Sequence, residues 1–435
     1  MSALPNRLAK AITFFIPVPT WRRKTRDHIT HAIAAKMREA AAKREWKKYI
    51  DWVQNHQLDK SKFVPLATDS YERQPDDAKL IAYYLPQYYP FPQNDAWFGK
   101  GFTEWSNAAK AVPQYAGHWQ PHLPIDMGFY SLETTQVMRR QVELAKQYGI
   151  YGFCFYYYWF GGNKLMDKPV QNLLNDTSID MPFCLFWANE TWSKNWGPKH
   201  ETGEKAYDAK VKPGDGQRFY EDIAPFFNDA RYIKINGRPV LIIYRTYDKG
   251  LPEFIDEIGA ACKSANAMPP YLMIIEDDSR MIDPRSIGAD AAAEFFNYSL
   301  TKKPSPRTDV AVVNPKARLK VFDMDNYITN GGHNQINSEA GYPIYRGAVT
   351  RYDNTARKVY TDATVYDITP PLYSRWLKDV LDWTKRHHPA PHNFAFVSAW
   401  NEWAEAMHLE PDQKYGYAYL AATRDAIETA RKDPK

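Results

Sequence analysis

The sequence predicts an α/β protein, a (β/α)8 barrel of the TIM type carrying a basic helical extension at its N-terminus. Three observations predict it. Eight short apolar runs recur between residues 79 and 399, and several are apolar on both faces, as strands covered on both sides are. Helical segments or long connections separate the runs, which is what parallel pairing requires. Polar and aromatic residues gather just after the runs, where a barrel builds its C-terminal face. A doubly wound open sheet is the alternative, but no glycine-rich nucleotide loop follows the first run.

Residues 1–57 form the extension. They hold 12 Lys and Arg against 4 Asp and Glu, a balance of +8 in front of a body that carries −3. Within residues 9–26 an apolar wedge (Phe14, Phe15, Ile16, Val18, Trp21) stands against Arg22, Arg23, Lys24 and Arg26. Residues 27–54 are rich in Ala, Lys, Arg and Glu without Gly or Pro, and predict a helix. Two readings of this arm stand level. It anchors the protein at an anionic membrane, on the inner face of the cytoplasmic membrane, or it is a solvated helix packed on the barrel. Nucleic acid is not an expected partner, since no aromatic-basic platform accompanies the charge. Residues 58–78, with Pro65 and Pro75, are expected to be a linker.

The barrel is expected over residues 79–430. Its strands are read at Lys79–Leu85, Ile150–Tyr156, Pro182–Trp187, Pro239–Tyr244, Tyr271–Glu276, Ala289–Phe296, Tyr345–Arg351 and Asn393–Ala399. A helix between the first two has Ser131 as its expected N-cap, Met138, Val142 and Ala145 on one face, and Gly149 to end it. Leu372, Trp376, Val380 and Trp383 mark another before the last strand. Cys154, Cys184 and Cys262 are widely spaced, which predicts reduced thiols in a reducing compartment rather than disulfides or a metal site. The run Ile12–Pro19 is short, proline-broken and without a small-residue cleavage site. The expected location is therefore cytoplasmic, and neither a metal nor a cofactor is expected.

Candidate site residues follow the strands. Tyr84, Gln87 and Tyr88, then Trp97, Glu104 and Trp105, come at or after the first strand, and Tyr157, Tyr158 and Trp159 after the second. Trp187, Asn189, Glu190, Trp192 and Trp196 mark the third, Arg245 the fourth, Glu276 with Asp277 and Asp278 the fifth, and Asn297 the sixth. The eighth runs into Trp400-Asn401-Glu402-Trp403-Ala404-Glu405. Flat rings with an N–H donor suit the C–H face of a sugar, and the interleaved Asn, Gln, Arg and Glu suit its hydroxyls. The same rings also serve to plug a barrel mouth; the hydrogen-bonding residues between them favour sugar binding. Glycosidic chemistry uses two carboxyl groups flanking one bond, about 5 Å apart when configuration is retained. A Glu-x-x-Glu pair by itself means little, because solvated helices are full of them. Glu402 and Glu405 instead follow the apolar run Phe394–Val397 and alternate with Trp400 and Trp403, which predicts that they are the catalytic pair.

The stretch Val397-Ser-Ala-Trp-Asn-Glu-Trp-Ala-Glu-Ala-Met-His-Leu-Glu-Pro-Asp412 resembles the signature of the WbsX family of polysaccharide-locus glycosyltransferases. That family is similar to the endo-α-mannosidases of glycoside hydrolase family 99. Leu85-Pro-Gln-Tyr-Tyr, Gly101-Phe-Thr-Glu-Trp, Gly152-Phe-Cys-Phe-Tyr-Tyr-Tyr-Trp and Trp187-Ala-Asn-Glu-Thr-Trp resemble further WbsX blocks, so that the likeness runs from about residue 79 to 425. It implies a (β/α)8 barrel acting on surface polysaccharide such as O-antigen. It also implies that Glu402 takes a proton from a sugar 2-hydroxyl, which closes a 1,2-anhydro ring, and that Glu405 is the general acid and later the base. Those roles need Glu402 ionised and Glu405 protonated. Ala404-Glu405-Ala406 departs from the His-Glu-Gly of the mannosidases, which leaves the sugar undefined. The implied substrate is an oligosaccharide or lipid-linked glycan.

Other signals are weaker. Asp323-Met-Asp325 has the form of a metal-holding D-x-D, but no nucleotide-binding pattern accompanies it. His118 and His122 would share a helical face were it not for Pro121. Glu190 and Glu276 fit sugar binding and buried ion pairing equally. A non-catalytic glycan-binding or scaffold protein on a barrel fold is the second functional reading.

Overall fold

The computed structural model describes residues 4–55, 61–193, 205–276, 282–295, 304–334, 340–358 and 362–432. Eight parallel strands form the barrel: β1 (Lys79–Tyr84), β2 (Gly152–Phe160), β3 (Phe183–Trp187), β4 (Arg238–Ile243), β5 (Tyr271–Ile275), β6 (Ala291–Ala293), β7 (Ile344–Tyr345 and Gly347–Val349) and β8 (Phe394–Ser398). Each lies where an apolar run predicts it. Neighbours pair in sequence order, with Ile81 opposite Gly152 between β1 and β2, and Phe153 opposite Phe183 between β2 and β3. Gly152 permits that approach: a Cβ there would lie 2.7 Å from the carbonyl oxygen of Pro182.

The ring closes through β7, whose two pieces are separated by Arg346. Ile344–Tyr345 pairs with β6, Gly347–Val349 pairs with β8, and β8 pairs with β1. Arg346 is 1% exposed. Its guanidinium donates to the carbonyl of His333 at 2.6 Å and to Asn334 Oδ1 at 3.1 Å, and its Nε faces Glu294 at 3.3 Å. Glu294 in turn accepts the Gly347 N–H at 2.9 Å, so one ion pair ties β6 to the break in β7.

Helices cover the outside. Thr135–Gln147 buries Met138, Val142 and Ala145, but Thr134 rather than Ser131 is its N-cap. The Ser131 hydroxyl accepts instead from the Glu133 N–H, which keeps residues 131–133 in a turn. The helix expected before β8 spans Pro370–His387 and buries Trp376, Leu377 and Val380. A small sheet lies outside the barrel and was not expected from the sequence. In it Leu319–Phe322 runs parallel to Ala363–Tyr366, and Tyr352–Asp353 pairs antiparallel to the latter.

The described part of the expected linker, residues 61–78, is docked. Val64 exchanges backbone hydrogen bonds with Tyr415 and Tyr417, Tyr71 N–H donates to Gln147, and Asp77 pairs with Arg431 at 2.6 Å. In the arm, Leu4–Thr13 packs on Pro19–Asn55 through the buried Ala9 and Thr13. Residues 35–41 of the long helix are exposed on every side, so this stretch does not lie against the barrel. No helix among the described residues is long and apolar enough to cross a membrane.

Arg346→Ala leaves Glu294 without its cation and opens the strand break. The expected loss is about 3–5 kcal/mol of unfolding free energy, read by urea denaturation. A loss below about 1 kcal/mol would show that the ring closes without this contact.

Candidate active site

After β8 the chain makes a tight hairpin, in which Asn401–Glu402 pairs antiparallel with Met407–His408. A single 3-10 turn, Trp403–Glu405, connects the two arms and ends at Ala406 in the left-handed region, φ 53°. A straight strand would send residues 402 and 405 to opposite faces. The turn brings both carboxyl groups to one guanidinium, that of Arg357. Its Nη1 donates to Glu405 Oε1 at 2.8 Å, and its Nη2 lies 3.6 Å from Glu402 Oε2. Glu104, from the loop after β1, completes the group by accepting from Nη2 at 2.6 Å and from Nε at 2.9 Å.

Arg357 sits in the short helix Thr355–Lys358, whose entry is fixed by Asp353. Asp353 accepts from the Thr355 N–H at 2.9 Å and from Gln120 at 2.6 Å, and contacts His118 Nε2 at 2.6 Å. The Gln114 N–H donates to His118 Nδ1, so Nε2 carries the hydrogen that Asp353 accepts. His118 therefore braces this loop, and His122 Nδ1 contacts His408 Nε2 of the hairpin at 3.0 Å. No group of three or more metal-ligating side chains occurs among the described residues. Asp323 likewise caps the helix Met324–Thr329 by accepting from the Asn326 N–H.

Carboxyl groups that face one another in a buried site raise each other's proton affinity. Burial and the neighbouring Glu405 push the Glu402 carboxyl well above the usual range. Burial raises Glu405 too, but Arg357 opposes the rise. The pair thus shares a proton. Because Arg357 donates directly to Glu405, the geometry keeps the negative charge there and the proton on Glu402. The roles implied by the family resemblance require the reverse.

The expected sugar-binding residues divide into two sets. Even-numbered residues of β2 face the barrel axis and odd-numbered ones face the helices. Tyr157 therefore packs on Phe219 and Phe226, and Trp187 on Phe219 and Phe254, beneath the helices. Tyr84 also points outward, donating to Gln141 of the helix Thr135–Gln147 at 2.7 Å. Trp159 donates outward to Asp222. Tyr88, Trp105, Trp400, Asn401 and Trp403 are buried supports of the hairpin. Asn401 bridges the Leu85 N–H and carbonyl at 2.8 and 3.0 Å, Tyr88 donates to the Asn401 carbonyl, and Trp105 donates to the Tyr130 carbonyl. The carbonyl of Gln87 accepts the Glu104 N–H. Asn189 bridges β3 to Arg245 through both of its amide atoms, and Arg245 pairs with Glu190 at 2.7 Å. Glu276 is buried near Glu294 and Arg346. Asp277, Asp278, Asn297 and Trp196 lie outside the described residues.

Sequence reasoning missed Arg357 and Tyr156, and it singled out Tyr157 rather than the neighbouring Tyr158 for sugar binding. Tyr156 and Tyr158 face the pair, and after burial Glu402 is the strongest influence raising both phenols. The Tyr156 hydroxyl is buried with no hydrogen bond among the described residues. Period-two alternation along β2 distinguishes these residues from Tyr157, once one inward position is known. No motif marks Arg357. Tyr158, Trp192, Trp97 and Tyr207 form a half-buried aromatic wall beside the site, with Tyr158 and Trp192 at 5.2 Å and Trp97 and Trp192 at 6.0 Å.

A sequence profile described as Glycosyltransferase WbsX matches residues 80–423. The chain belongs to the WbsX glycosyltransferase family. The uncharacterized protein WxcX of two Xanthomonas campestris pv. campestris strains is 38% identical over 357 residues, 81% of this chain and 50% of that protein. The chain thus spans about half the length of the curated relatives it matches. A glycoside hydrolase-like protein of known structure shares the fold, at 12% identity and TM-score 0.50, with 85% of this chain and 98% of that one covered. A GH99 endo-alpha-mannosidase from Bacteroides thetaiotaomicron aligns at 14% identity and TM-score 0.49 over 81% of this chain and 97% of its own. Family and barrel together support a carbohydrate-active enzyme.

This WbsX chain carries a pH signature in Glu276, whose carboxyl is pushed up to about 7 by burial and by Glu294. A raised folded pKa means that the folded state holds the proton more tightly, so this contribution favours folding at low pH and is lost as pH rises. Between about pH 4.5 and 7, wild type should lose stability relative to Glu276→Gln. Chemical denaturation of both at several pH values checks this, and a pH-independent difference would refute it.

Proposed function

We propose that this WbsX chain makes or breaks glycosidic bonds in a bacterial surface polysaccharide, with Glu402 and Glu405 as the reacting carboxyl pair. The observation that carries the reading is their convergence on the Arg357 guanidinium at the C-terminal mouth of the barrel. Nitrogens of one planar group reach both carboxylates, which suits the short separation of about 5–5.5 Å used with retention. The half-buried wall of Tyr158, Trp192 and Trp97 offers ring faces for a sugar, and Gln87, Asn189, Glu190 and Arg245 surround the same mouth with polar groups.

In this reading Glu402 accepts the proton of a sugar 2-hydroxyl, whose oxygen attacks its own anomeric carbon as the glycosidic bond breaks. Glu405 protonates the departing oxygen. The resulting 1,2-anhydro sugar is opened by water or by an acceptor hydroxyl, with Glu405 taking that proton back and Glu402 returning its own. For this the Arg357–Glu405 contact has to loosen as substrate enters, and the shared proton has to pass from Glu402 to Glu405.

The glycan in this reading is presented at an anionic membrane. Leu8, Ile12, Phe14, Phe15, Val18 and Trp21 are exposed in the arm, Phe15 to 85%, and Arg22, Arg23, Lys24 and Arg26 follow directly. Apolar rings beside clustered cations suit a headgroup layer.

Mass spectrometry of free and lipid-linked oligosaccharides after incubation tests the reaction. Glu405→Gln should lose more than about a hundredfold in rate while glycan binding persists. Undiminished turnover would remove Glu405 from the chemistry, and binding without turnover by wild type across the panel would favour a glycan-binding role. Deleting residues 1–26 should release the protein from anionic vesicles, and equal sedimentation of both forms would remove the membrane contact.

A further inference from the structure

Glu410 closes the hairpin that carries Glu402 and Glu405, and it is 1% exposed. Four donors surround its carboxyl group. Oε1 accepts from Gln141 Nε2 at 2.8 Å and from Trp400 Nε1 at 3.0 Å. Oε2 accepts from the Tyr130 hydroxyl at 2.9 Å and from Trp403 Nε1 at 2.6 Å.

All four bonds run toward the carboxyl oxygens. An indole nitrogen only donates. Gln141 presents its amide nitrogen while its oxygen accepts from the Tyr84 hydroxyl. Tyr130 receives the Asn401 amide on its oxygen, which leaves its hydrogen for Glu410. A proton on either carboxyl oxygen would meet another donor, so these contacts favour the anion. Burial acts the other way, pushing the group up to about 7. The Tyr84, Tyr88 and Tyr130 phenols feel its charge, and no cation is among its described hydrogen-bond partners. Such a charge persists in an apolar interior only while all its donors remain in place.

Two of those donors flank the reacting segment. Trp400 stands two residues before Glu402, and Trp403 directly after it. Trp403 is held further by stacking on His408 at 3.9 Å and by its backbone N–H on Tyr88. Sliding or twisting the 3-10 turn would pull an indole N–H off a buried carboxylate.

We propose that Glu410 is a positioning residue, whose carboxylate fixes Trp400 and Trp403 and through them the angle at which Glu402 and Glu405 meet. The proposal rests on the reading of those two as the reacting pair. Glu410 touches neither of them in the described contacts.

The test uses the full chain, labelled at Glu carboxyl carbons and Trp indole nitrogens, and needs no substrate for its main readouts. Glu410→Gln puts an amide N–H against donors, so the Trp400 and Trp403 indole resonances should move. The coupled titration of Glu402 and Glu405 should also shift its midpoint by about one pH unit, a tenfold change in proton affinity. In turnover, the same variant should lose about a hundredfold in kcat with glycan affinity nearly unchanged, as displacement by a fraction of an ångström to 1 Å would cause. If Glu410→Gln does not fold, Trp403→Phe removes one donor and should move the pair's midpoint too, by less. A folded variant whose indole resonances stay in place and whose pair titrates as in wild type overturns the proposal. Absence of turnover in wild type would overturn the enzymatic reading alone, because the titration and indole shifts would still stand.

Discussion

Glu104, Glu402 and Glu405 meet the single guanidinium of Arg357, and all four side chains are mostly withdrawn from water. Three carboxylates against one cation leave an excess of negative charge that a buried site does not tolerate. Burial and mutual repulsion therefore raise the proton affinity of Glu402 and Glu405, and the distances to Arg357 favour the proton on Glu402. This is the constraint to which the rest of the structure answers. A group whose acid and base exchange one proton is well suited to breaking a bond flanked by two oxygens, and poorly suited to a passive surface. It also explains the order of events in the proposed reaction: the arginine that neutralises the site at rest must give up part of its hold on Glu405 before that residue can act as an acid.

Bringing these groups together takes the whole ring. Glu104 leaves β1, Arg357 leaves β7, and the glutamate pair leaves β8, with Glu104 and Arg357 separated by 253 positions in the chain. Only a closed barrel puts the ends of its first, seventh and eighth strands side by side. Closure depends on β7, which is interrupted at Arg346 and held there by Glu294. The loops beyond the strands are then stiffened by short polar contacts, Asp353 for the arginine and Asn401 and Tyr88 for the glutamates.

The abundance of aromatic residues resolves into separate tasks. Tyr83, Tyr156, Phe186, Phe295 and Phe396 fill the barrel axis, with Tyr83 and Phe396 stacked at 5.3 Å. Tyr157, Trp159 and Trp187 pack under the helices. Trp400 and Trp403 present their N–H groups to Glu410 and Trp105 to Tyr130, so these indoles support the site rather than face a sugar. Trp97, Tyr158 and Trp192 are left half-buried beside the pair, and in the proposed reading they are the rings that lie against the glycan.

All eight barrel strands were legible in the sequence, because a parallel strand covered on both faces must be a continuous apolar run, and hydropathy records that directly. The glutamate pair was legible too, since its setting between tryptophans after the last strand is unlike a solvated helix. The same continuity concealed which face of each strand points inward: with apolar residues on both sides, nothing in the pattern separates Tyr156 from Tyr157. The docking of residues 61–78 was hidden because Pro and polar residues mark irregular backbone, whether or not it is packed. Arg357 was hidden because a loop has no period, and a basic residue within one carries no sign of the three carboxylates it will meet. Local chemistry thus determined the strands and the residue types of the proposed site. Their partners, their protons and their facing directions were decided by contacts between distant parts of the chain, which exist only after the barrel has closed.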